Sequence, residues 1–166
     1  MNAAPHNGSG GGIRITSSGN NGGWLESCTV ASNTAYQYAG GLLFDNTNSF
    51  VSNCVIYGNT VTSGADKNDA YFYTAAATNA PAYCLFTAAL SPAPGRGNIT
   101  NRNALFVNAP AGDFRLAAGS PAIGAGTNLP WMDGALDLDR RPRLRGGTVD
   151  MGAYEFFPAG TILSVR

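Results

Sequence analysis

Residues 25–35 read LESCTVASNTA and residues 51–61 read VSNCVIYGNTV, so the chain uses one pattern twice. Each copy places a Cys beside an apolar run and follows it with an Asn-Thr pair. A third Cys continues the series, because Cys28, Cys54 and Cys84 are almost evenly spaced along the chain. A pattern that returns at a nearly fixed step indicates a repeat protein, in which each repeat adds one structural unit.

A second set of apolar segments repeats with a similar step. The segments are GIRIT at 12–16, GLLFD at 41–45 and AYFYT at 70–74. The step from Ile13 to Leu42 equals the step from Leu42 to Tyr71. Such a step, with short strands, many Asn and Gly residues and no helical periodicity, favours a coil of parallel strands over a helical repeat. We therefore predict an all-β fold, a right-handed parallel β-helix of about three to four coils with a C-terminal cap.

Alternation along each predicted strand assigns its two faces. The rule predicts two interior columns, which are Ile13, Leu42, Tyr71 and Ile15, Phe44, Tyr73. It also predicts an outer column of Arg14, Leu43 and Phe72. The outer column would expose an apolar stack to water, so we expect something to cover it. The segment around Leu129, Trp131, Met132 and Leu136 is one candidate cover, and a glycan or protein partner is the other.

The repeated phrase itself predicts a stack of like residues. Adjacent parallel strands lie about 4.8 Å apart, so Cys28, Cys54 and Cys84 should form an inward column. An odd number of Cys residues without a CxxC pair favours buried free thiols, with a disulfide or a metal site as the alternatives. After each strand, Asn33 and Asn59 are expected to adopt left-handed backbone and to bond the neighbouring coil.

Composition excludes several classes of function. Ten Lys and Arg residues balance ten Asp and Glu residues, so no strong net charge favours nucleic acid or an anionic membrane surface. No apolar run approaches the roughly 18 residues of a membrane span. Apolar residues make up 44% of the chain and charged residues 12%, which predicts one domain with a sizeable core. No cofactor motif is present, and we expect no cofactor.

Two blocks of sequence resemble known bacterial proteins. GGGI and AGGLLF, followed by CTVASNT and CVIYGNT, resemble the repeats of polymorphic outer-membrane proteins. Residues 103–128 and 137–156 resemble the closing module of secreted right-handed β-helix proteins, the choice-of-anchor Q domain. The resemblance implies a secreted or cell-surface bacterial protein whose module lies next to an envelope anchor. The chain departs from the pattern in having Asn103-Ala104 in place of Asp-Pro, and Arg140 in place of Gly.

The predicted organisation has four parts. Residues 1–11 are a flexible lead, 12–128 form the coils, 129–157 form the cap and 158–166 lead towards an anchor. Within the cap, the run DLDRRPRLRGG concentrates charges of both signs. Polar capping segments cover the last exposed strands of a solenoid, so we interpret this run as part of the cap.

Right-handed β-helices also include enzymes that cleave polysaccharides, and such chemistry needs clustered acidic and basic groups. In the coils only Asp66, Lys67 and Asp69 cluster, and they are weak catalytic candidates in a predicted solvated loop. Weak metal candidates in the cap are Asp133, Asp137, Asp139 and Asp150, since hard cations bind several oxygen ligands. Aspartates that cap turns and pair with the nearby arginines are the simpler interpretation.

The sequence favours a structural or adhesive module over an enzyme. Weak candidates for ligand binding are Trp24, Tyr36, Tyr38, Leu43 and Phe72, since aromatic side chains stack on sugars. The expected partners are a glycan or a surface protein. The alternative is a fragment of a polysaccharide lyase or glycoside hydrolase whose active coils lie upstream. An open first coil also predicts end-to-end self-association.

Overall fold

A computed structural model describes residues 10–16, 23–45, 49–63, 69–72, 80–87, 95–145 and 147–158. The strands in these residues are β1 (Ile13–Thr16), β2 (Trp24–Glu26), β3 (Thr29–Ala31), β4 (Thr34–Ala35), β5 (Leu42–Asp45), β6 (Phe50–Ser52), β7 (Val55–Tyr57), β8 (Thr60–Val61), β9 (Ala70–Phe72), β10 (Leu85–Phe86), β11 (Phe106–Asn108) and β12 (Asp113–Leu116). Short 3₁₀ helices occupy Ala109–Ala111 and Pro130–Met132. Within this part of the chain, no helix has the length and apolar character that crossing a membrane requires.

The first ten strands form a parallel β-helix. The first coil contains β1 to β4, the second contains β5 to β8, and the third contains β9 and β10. Equivalent strands of successive coils pair in parallel, giving the sheets β1-β5-β9, β3-β7-β10, β2-β6 and β4-β8. The predicted fold class is therefore confirmed. Parallel pairing continues one step further, where Leu85 bridges Ile99.

One predicted register is wrong in the third coil. Leu42 pairs with Ala70, and Leu43 pairs with Tyr71. The step is therefore one residue shorter than the predicted step to Tyr71, and a shift of one residue moves every side chain to the opposite face. Phe72 accordingly packs against the interior, with its ring centroid 5.4 Å from that of Phe44. Tyr73, predicted to face inward, lies outside the described residues.

The outer column beside β5 is covered, although by different residues than expected. Leu43 is only 1% exposed. The backbone at Gly10 passes over it, since a Cβ at residue 10 would lie 3.2 Å from the Leu43 Cβ. The segment from Leu129 to Leu136 instead reaches the β2 strand, where Trp131 Nε1 donates a hydrogen bond to Glu26.

The interior of the coils contains the predicted thiol column. Cys54 and Cys84 are fully buried, Cys28 is half-buried, and none of the three forms a disulfide. The buried residues around them are Val30, Leu42, Phe44, Val51, Ile56, Ala70 and Phe86. The column ends at Asn98, whose Oδ1 accepts the backbone N–H of Cys84 (2.7 Å). Burial raises the pKa of Cys54, so its neutral thiol is favoured.

Left-handed backbone conformations mark the corners between strands. One set lies directly before each of the three Cys residues and before Asn98. Its members are Ser27, Asn53, Tyr83 and Gly97, with φ from 50 to 70°. Another set directly precedes the repeated Asn residues, at Ser32 and Gly58. The expectation that Asn33 and Asn59 are left-handed is therefore wrong by one residue. The residue before each Asn makes the corner, which leaves the Asn side chain free to run along the stack.

The repeated Asn side chains form a hydrogen-bonded ladder, as predicted. Asn59 Oδ1 accepts the backbone N–H of Asn33 (3.0 Å) and its side-chain Nδ2 (3.1 Å). Asn59 Nδ2 in turn donates to the carbonyl of Val30 (2.8 Å). A Cβ at Gly12 would lie 2.8 Å from Asn33 Nδ2, and one at Gly41 would lie 2.6 Å from Asn59 Nδ2. The Gly-Gly and Asn-Thr halves of the repeat are thus sterically linked, because a side chain at either glycine would displace the ladder.

Residues 101–145 and 147–158 pack on the outside of the coils, and we call them the C-terminal module. The strands β11 and β12 form an antiparallel hairpin, in which Phe106 pairs with Leu116. A second apolar cluster joins the module to the outer face of the β3-β7-β10 sheet. Its buried members are Val55, Leu85, Ala104, Leu116, Ala122 and Met151. The division between coils and cap at residue 128 stays a prediction.

A single Asn in the second coil connects the coils to the module. Asn53 is fully buried, its Nδ2 donates to the carbonyl of Thr127 (2.8 Å), and its Oδ1 accepts the Thr127 N–H (2.7 Å). The Asn53 carbonyl also accepts the N–H of Gly152 (2.7 Å). Gly152 has φ of 103° and approaches Thr29 and Val55 closely, so a side chain there would be strained and crowded.

Candidate functional site

Asp69 is the one weak catalytic candidate that the structure describes, since Asp66 and Lys67 lie outside the described residues. The Asp69 carboxylate ends the Asn ladder. Its Oδ1 accepts the N–H of Asn59 (3.0 Å), and its Oδ2 accepts the N–H of Thr87 (2.6 Å). Burial raises the pKa of Asp69, while these hydrogen bonds act in the opposite direction. In this position the carboxylate is a structural acceptor between two coils.

The weak metal candidates do not meet at one point. The described residues contain no group of three or more His, Cys, Asp or Glu side chains able to hold a metal ion. Asp133 is exposed. Asp139 accepts two hydrogen bonds from Arg115, at 2.7 and 3.1 Å, and this pairing lowers the pKa of Asp139.

The other two aspartates of this set are buried and bind the backbone. Asp137 accepts the N–H groups of Arg141 (2.8 Å) and Glu155 (2.9 Å). Asp150 accepts the N–H of Gly124 (2.7 Å), and burial raises its pKa. These carboxylates hold together loops that have little regular secondary structure, as predicted for aspartates that cap turns.

A buried ion pair completes this network. Arg143 Nη1 lies 3.2 Å from Glu155 Oε1, and each side chain is 7% exposed. Glu155 Oε2 also accepts the N–H of Asp150 (3.0 Å). Burial raises the pKa of Glu155 to about 7, to which the neighbouring Asp150 charge contributes. The protonation of Glu155 therefore changes near neutral pH.

Three of the weak ligand candidates are packed against the protein itself. Leu43 is buried, and Phe72 contacts the interior. The Tyr38 ring stacks on that of Tyr71 with centroids 5.3 Å apart. Among the five candidates, the exposed side chains are Trp24 (77%) and Tyr36 (37%).

Trp24 belongs to a group of side chains that we call the aromatic strip, formed by the exposed Trp24, Phe50 and Trp131 and the half-buried Glu26. Trp24 and Phe50 are register partners in β2 and β6, and their ring centroids are 6.4 Å apart. Glu26 is two residues along β2 from Trp24 and therefore shares its face. Its Oε2 accepts the indole N–H of Trp131 (2.9 Å). Phe50 is 38% exposed and Trp131 46% exposed, so three aromatic rings present surface to solvent.

Sequence reasoning identified only Trp24 in the strip as a ligand candidate. The position of Phe50 follows from the repeat, since the step from Trp24 to Phe50 equals the step between the first two Cys residues. Trp131 was instead assigned to covering Leu43. Its contact with Glu26 spans 105 residues and obeys no period, so no pattern in the sequence indicates it.

No protein-family model matches the chain, and no curated protein or solved structure is significantly similar to it. The function is therefore argued from the geometry of the coils and from the exposed side chains that they carry.

Proposed function

We propose that the chain is a structural and adhesive β-helix module of an exported bacterial cell-surface protein and that it binds glycans through the aromatic strip. The observation that carries the proposal is the strip itself. Exposed aromatic groups in contact with one another on a soluble protein typically mark an interaction surface. Tryptophan offers a large apolar face at little cost in conformational entropy.

The strip has the chemistry to bind a sugar. The face of a pyranose ring that carries C–H groups is apolar and stacks on aromatic rings, while its hydroxyl groups need hydrogen-bond acceptors. Trp24 and Phe50 supply the rings, and the Glu26 carboxylate supplies acceptors. The indole N–H of Trp131 fixes Glu26 in place. Trp24, Glu26 and Phe50 lie on paired strands, and sites on regular elements hold their geometry better than sites on loops.

The cellular location is part of the proposal. The resemblance of residues 103–128 and 137–156 to a choice-of-anchor Q domain supports export and a position close to an envelope anchor. The network of Asp137, Asp150 and Glu155 lies within the second of these blocks. The departure at Asn103 keeps the chemistry of the usual Asp, since Asn103 Oδ1 accepts the N–H of Leu105 (2.9 Å).

A binding experiment tests the proposal. The protein is applied to an array of neutral and acidic glycans, and binding to each positive glycan is measured by isothermal titration calorimetry. Trp24→Ala and Trp131→Ala should each weaken binding of a neutral glycan by about tenfold, which corresponds to the loss of one aromatic contact. Tyr36→Ala is the matched control, since Tyr36 is exposed and outside the strip, and its affinity should be unchanged. Binding that is insensitive to both tryptophans contradicts the proposal.

The alternative of a polysaccharide-cleaving fragment gains no specific support from the described coils. Asp69 is buried in the ladder, and Glu26 is bonded to Trp131. Incubation with pectins, alginates and peptidoglycan, with assays for reducing ends and unsaturated products, tests it directly. Turnover that disappears in Asp66→Asn, Lys67→Met or Asp69→Asn would favour the enzyme.

End-to-end self-association through the first coil is also proposed. The interior residues of that coil, Ile13, Ile15, Leu25 and Cys28, are only partly buried. Their counterparts in the second coil include Leu42, Phe44 and Cys54, which are at most 2% exposed. Unpaired strand edges over an apolar interior favour pairing with another strand. Sedimentation equilibrium should show a dimer at high concentration, and a strict monomer would contradict this.

A further inference from the structure

A groove of about 660 Å³ opens on the C-terminal module, apart from the residues of the aromatic strip. Its volume lies within the roughly 300 to 1,000 Å³ that is typical of small-ligand sites. Its apolar lining includes Val107, Leu116, Phe156 and Phe157. Its charged lining consists of Arg115, Arg141 and Glu155. The groove thus combines apolar walls with a few charged groups, as small-molecule sites usually do.

The three charged groups differ in whether a partner within the protein neutralises them. Arg115 is paired with Asp139 and lies 3.3 Å from Asp113. Glu155 is paired with Arg143. Arg141 differs, because no carboxylate of the described residues lies within ion-pair distance of its guanidinium. Among the groove's charges, it is therefore the one whose N–H fork has no carboxylate partner within the described ranges, which leaves it able to bind a ligand.

A cation–π contact with Phe157 holds the Arg141 guanidinium in position. It lies 4.4 Å from the centroid of the Phe157 ring, and the guanidinium of Arg145 lies 4.1 Å from the same centroid. Two cations therefore share one aromatic ring, and neither has an ion-pair partner among the described residues. The planar guanidinium presents its N–H groups as a fork, which suits bidentate binding of a carboxylate.

We propose that this groove binds a carboxylated sugar, a hexuronate residue of an acidic polysaccharide, with its carboxylate on Arg141 and its ring against the apolar wall. Bidentate guanidinium-carboxylate pairing is strong and directional. The apolar wall around Phe156 and Val107 matches the C–H face of a sugar ring. A small inorganic anion would leave that wall and most of the volume unused. The proposal rests on glycan binding as the proposed function and adds a second subsite with a stated substrate class.

The test uses the intact chain and a trimer of galacturonate, with the neutral galactose trimer and inorganic phosphate as comparison ligands. Binding is measured by calorimetry and located by ¹H–¹⁵N NMR shifts at Ala117, Ala118 and Phe157, which line the groove. Arg141→Gln should weaken galacturonate binding by about tenfold or more, and Arg141→Lys should weaken it less, since it keeps the charge and loses the fork. Arg140→Gln is the matched control, because Arg140 is an exposed neighbour that does not line the groove.

A second variant keeps the test valid if Arg141→Gln loosens the module. Ala118 is exposed on the groove wall, and Ala118→Asp should repel the uronate while leaving the Phe157 stack intact. Galacturonate binding that survives both variants overturns the inference, as does phosphate binding of equal strength at the same NMR positions. If the neutral trimer binds through Trp24 and galacturonate does not bind, this inference fails while the proposed function stands. If neither ligand binds, this inference fails, and the glycan array decides the proposed function separately.

Discussion

The coils and the C-terminal module satisfy their buried polar groups in different ways. In the coils, contacts join like residues one step of the repeat apart, and most are uncharged. Asn33 bonds Asn59, and the Thr34 and Thr60 hydroxyls lie 3.0 Å apart. In the module, contacts join unlike residues at irregular spacings, and carboxylates accept backbone N–H groups.

The difference follows from the geometry of each region. An amide both donates and accepts, so one residue type can repeat along a stack without accumulating charge. Asp69 ends the ladder. The repeat would place the next Asn at residue 89, where the sequence has Ala89 instead. The module has little regular secondary structure to pair its backbone. Asp137 and Asp150 each accept two backbone N–H groups, whereas Glu155 accepts one and is paired with Arg143.

The largest expected effect concerns Asn53, which joins the two regions. Asn53→Ala removes both bonds to Thr127 and leaves the partly buried N–H and carbonyl of Thr127 unpaired, so we expect a loss of about 2 to 3 kcal/mol in the free energy of unfolding. Ser52→Ala is the matched control. The buried Ser52 hydroxyl has no hydrogen-bond partner in the described part of the chain, so its removal should be neutral or stabilising. Urea unfolding measures both. If Asn53→Ala and Ser52→Ala change the free energy of unfolding equally, Asn53 does not connect the two regions.

Within the coils, the position in the ladder should set the cost of losing an Asn. Asn59→Ala removes bonds to both neighbouring coils at a site that is 2% exposed, and should cost about 2 to 3 kcal/mol. Asn33→Ala, at the half-buried first coil, should cost about 1 kcal/mol. The two losses in unfolding free energy are calculated from the urea midpoints of the variants, with the same m-value for both. Equal losses would contradict a ladder that is tighter in its middle.

In the module, stability should depend on pH through Glu155. The folded-state pKa of about 7 exceeds the ordinary value of 4.5, so the folded state holds the proton more tightly. The stabilisation is complete below about pH 4.5 and is lost as the pH rises to about 7. Because the carboxylate also lines an open groove, we expect a loss of about 2 kcal/mol, below the full value of the shift. The raised pKa values of Asp69 and Asp150 act in the same direction at the acid end.

Glu155→Gln tests this assignment, because it removes the titrating group. Whatever its absolute stability, its urea midpoint should vary much less between pH 5 and pH 7.5 than that of the parent protein. Asp139→Asn is a useful control, since Asp139 forms an ion pair and has a lowered pKa. The urea midpoint of Asp139→Asn should change between pH 5 and pH 7.5 as much as that of the parent protein. If the urea midpoint of Glu155→Gln also changes as much, a group other than Glu155 is responsible for the pH dependence.

The smallest expected effect is a gain in stability. Arg140 has φ of 63°, a conformation that suits glycine, and it stands where the resembled family has Gly. Arg140→Gly should therefore stabilise the module by about 1 kcal/mol. Arg102→Gly, at an exposed position without a positive φ, should be neutral or slightly destabilising. Thermal unfolding distinguishes them, and a lower melting temperature for Arg140→Gly would contradict the strain argument.

The repeat made much of the coils predictable from sequence. The thiol column and the Asn bonds follow from a fixed step, because parallel strands place equivalent residues next to each other. The error at Tyr71 shows the limit of that reasoning. The segment AYFYT is apolar at several successive positions, so alternation alone does not decide whether Ala70 or Tyr71 pairs with Leu42.

The contacts of the module were less predictable. Asn53 lies within the repeated phrase, but nothing in its spacing indicates that it meets Thr127, 74 residues later. The same holds for Glu26 and Trp131. Contacts that occur once between distant segments depend on tertiary packing, and no local pattern encodes them.

The central claim is that the coils stack residues of the repeat into a closed interior. Thiol labelling tests this claim most directly. Native protein is treated with iodoacetamide without reductant, and each Cys is quantified by mass spectrometry. Cys54 and Cys84 should remain unlabelled, since burial excludes the reagent from both, and burial also raises the pKa of Cys54. Cys28 is half-buried and should react slowly, because its hydrogen bond with Cys54 and its burial raise its pKa. Rapid labelling of Cys54 or Cys84 in the folded protein, or a disulfide between any two of the three, would contradict the stacked column.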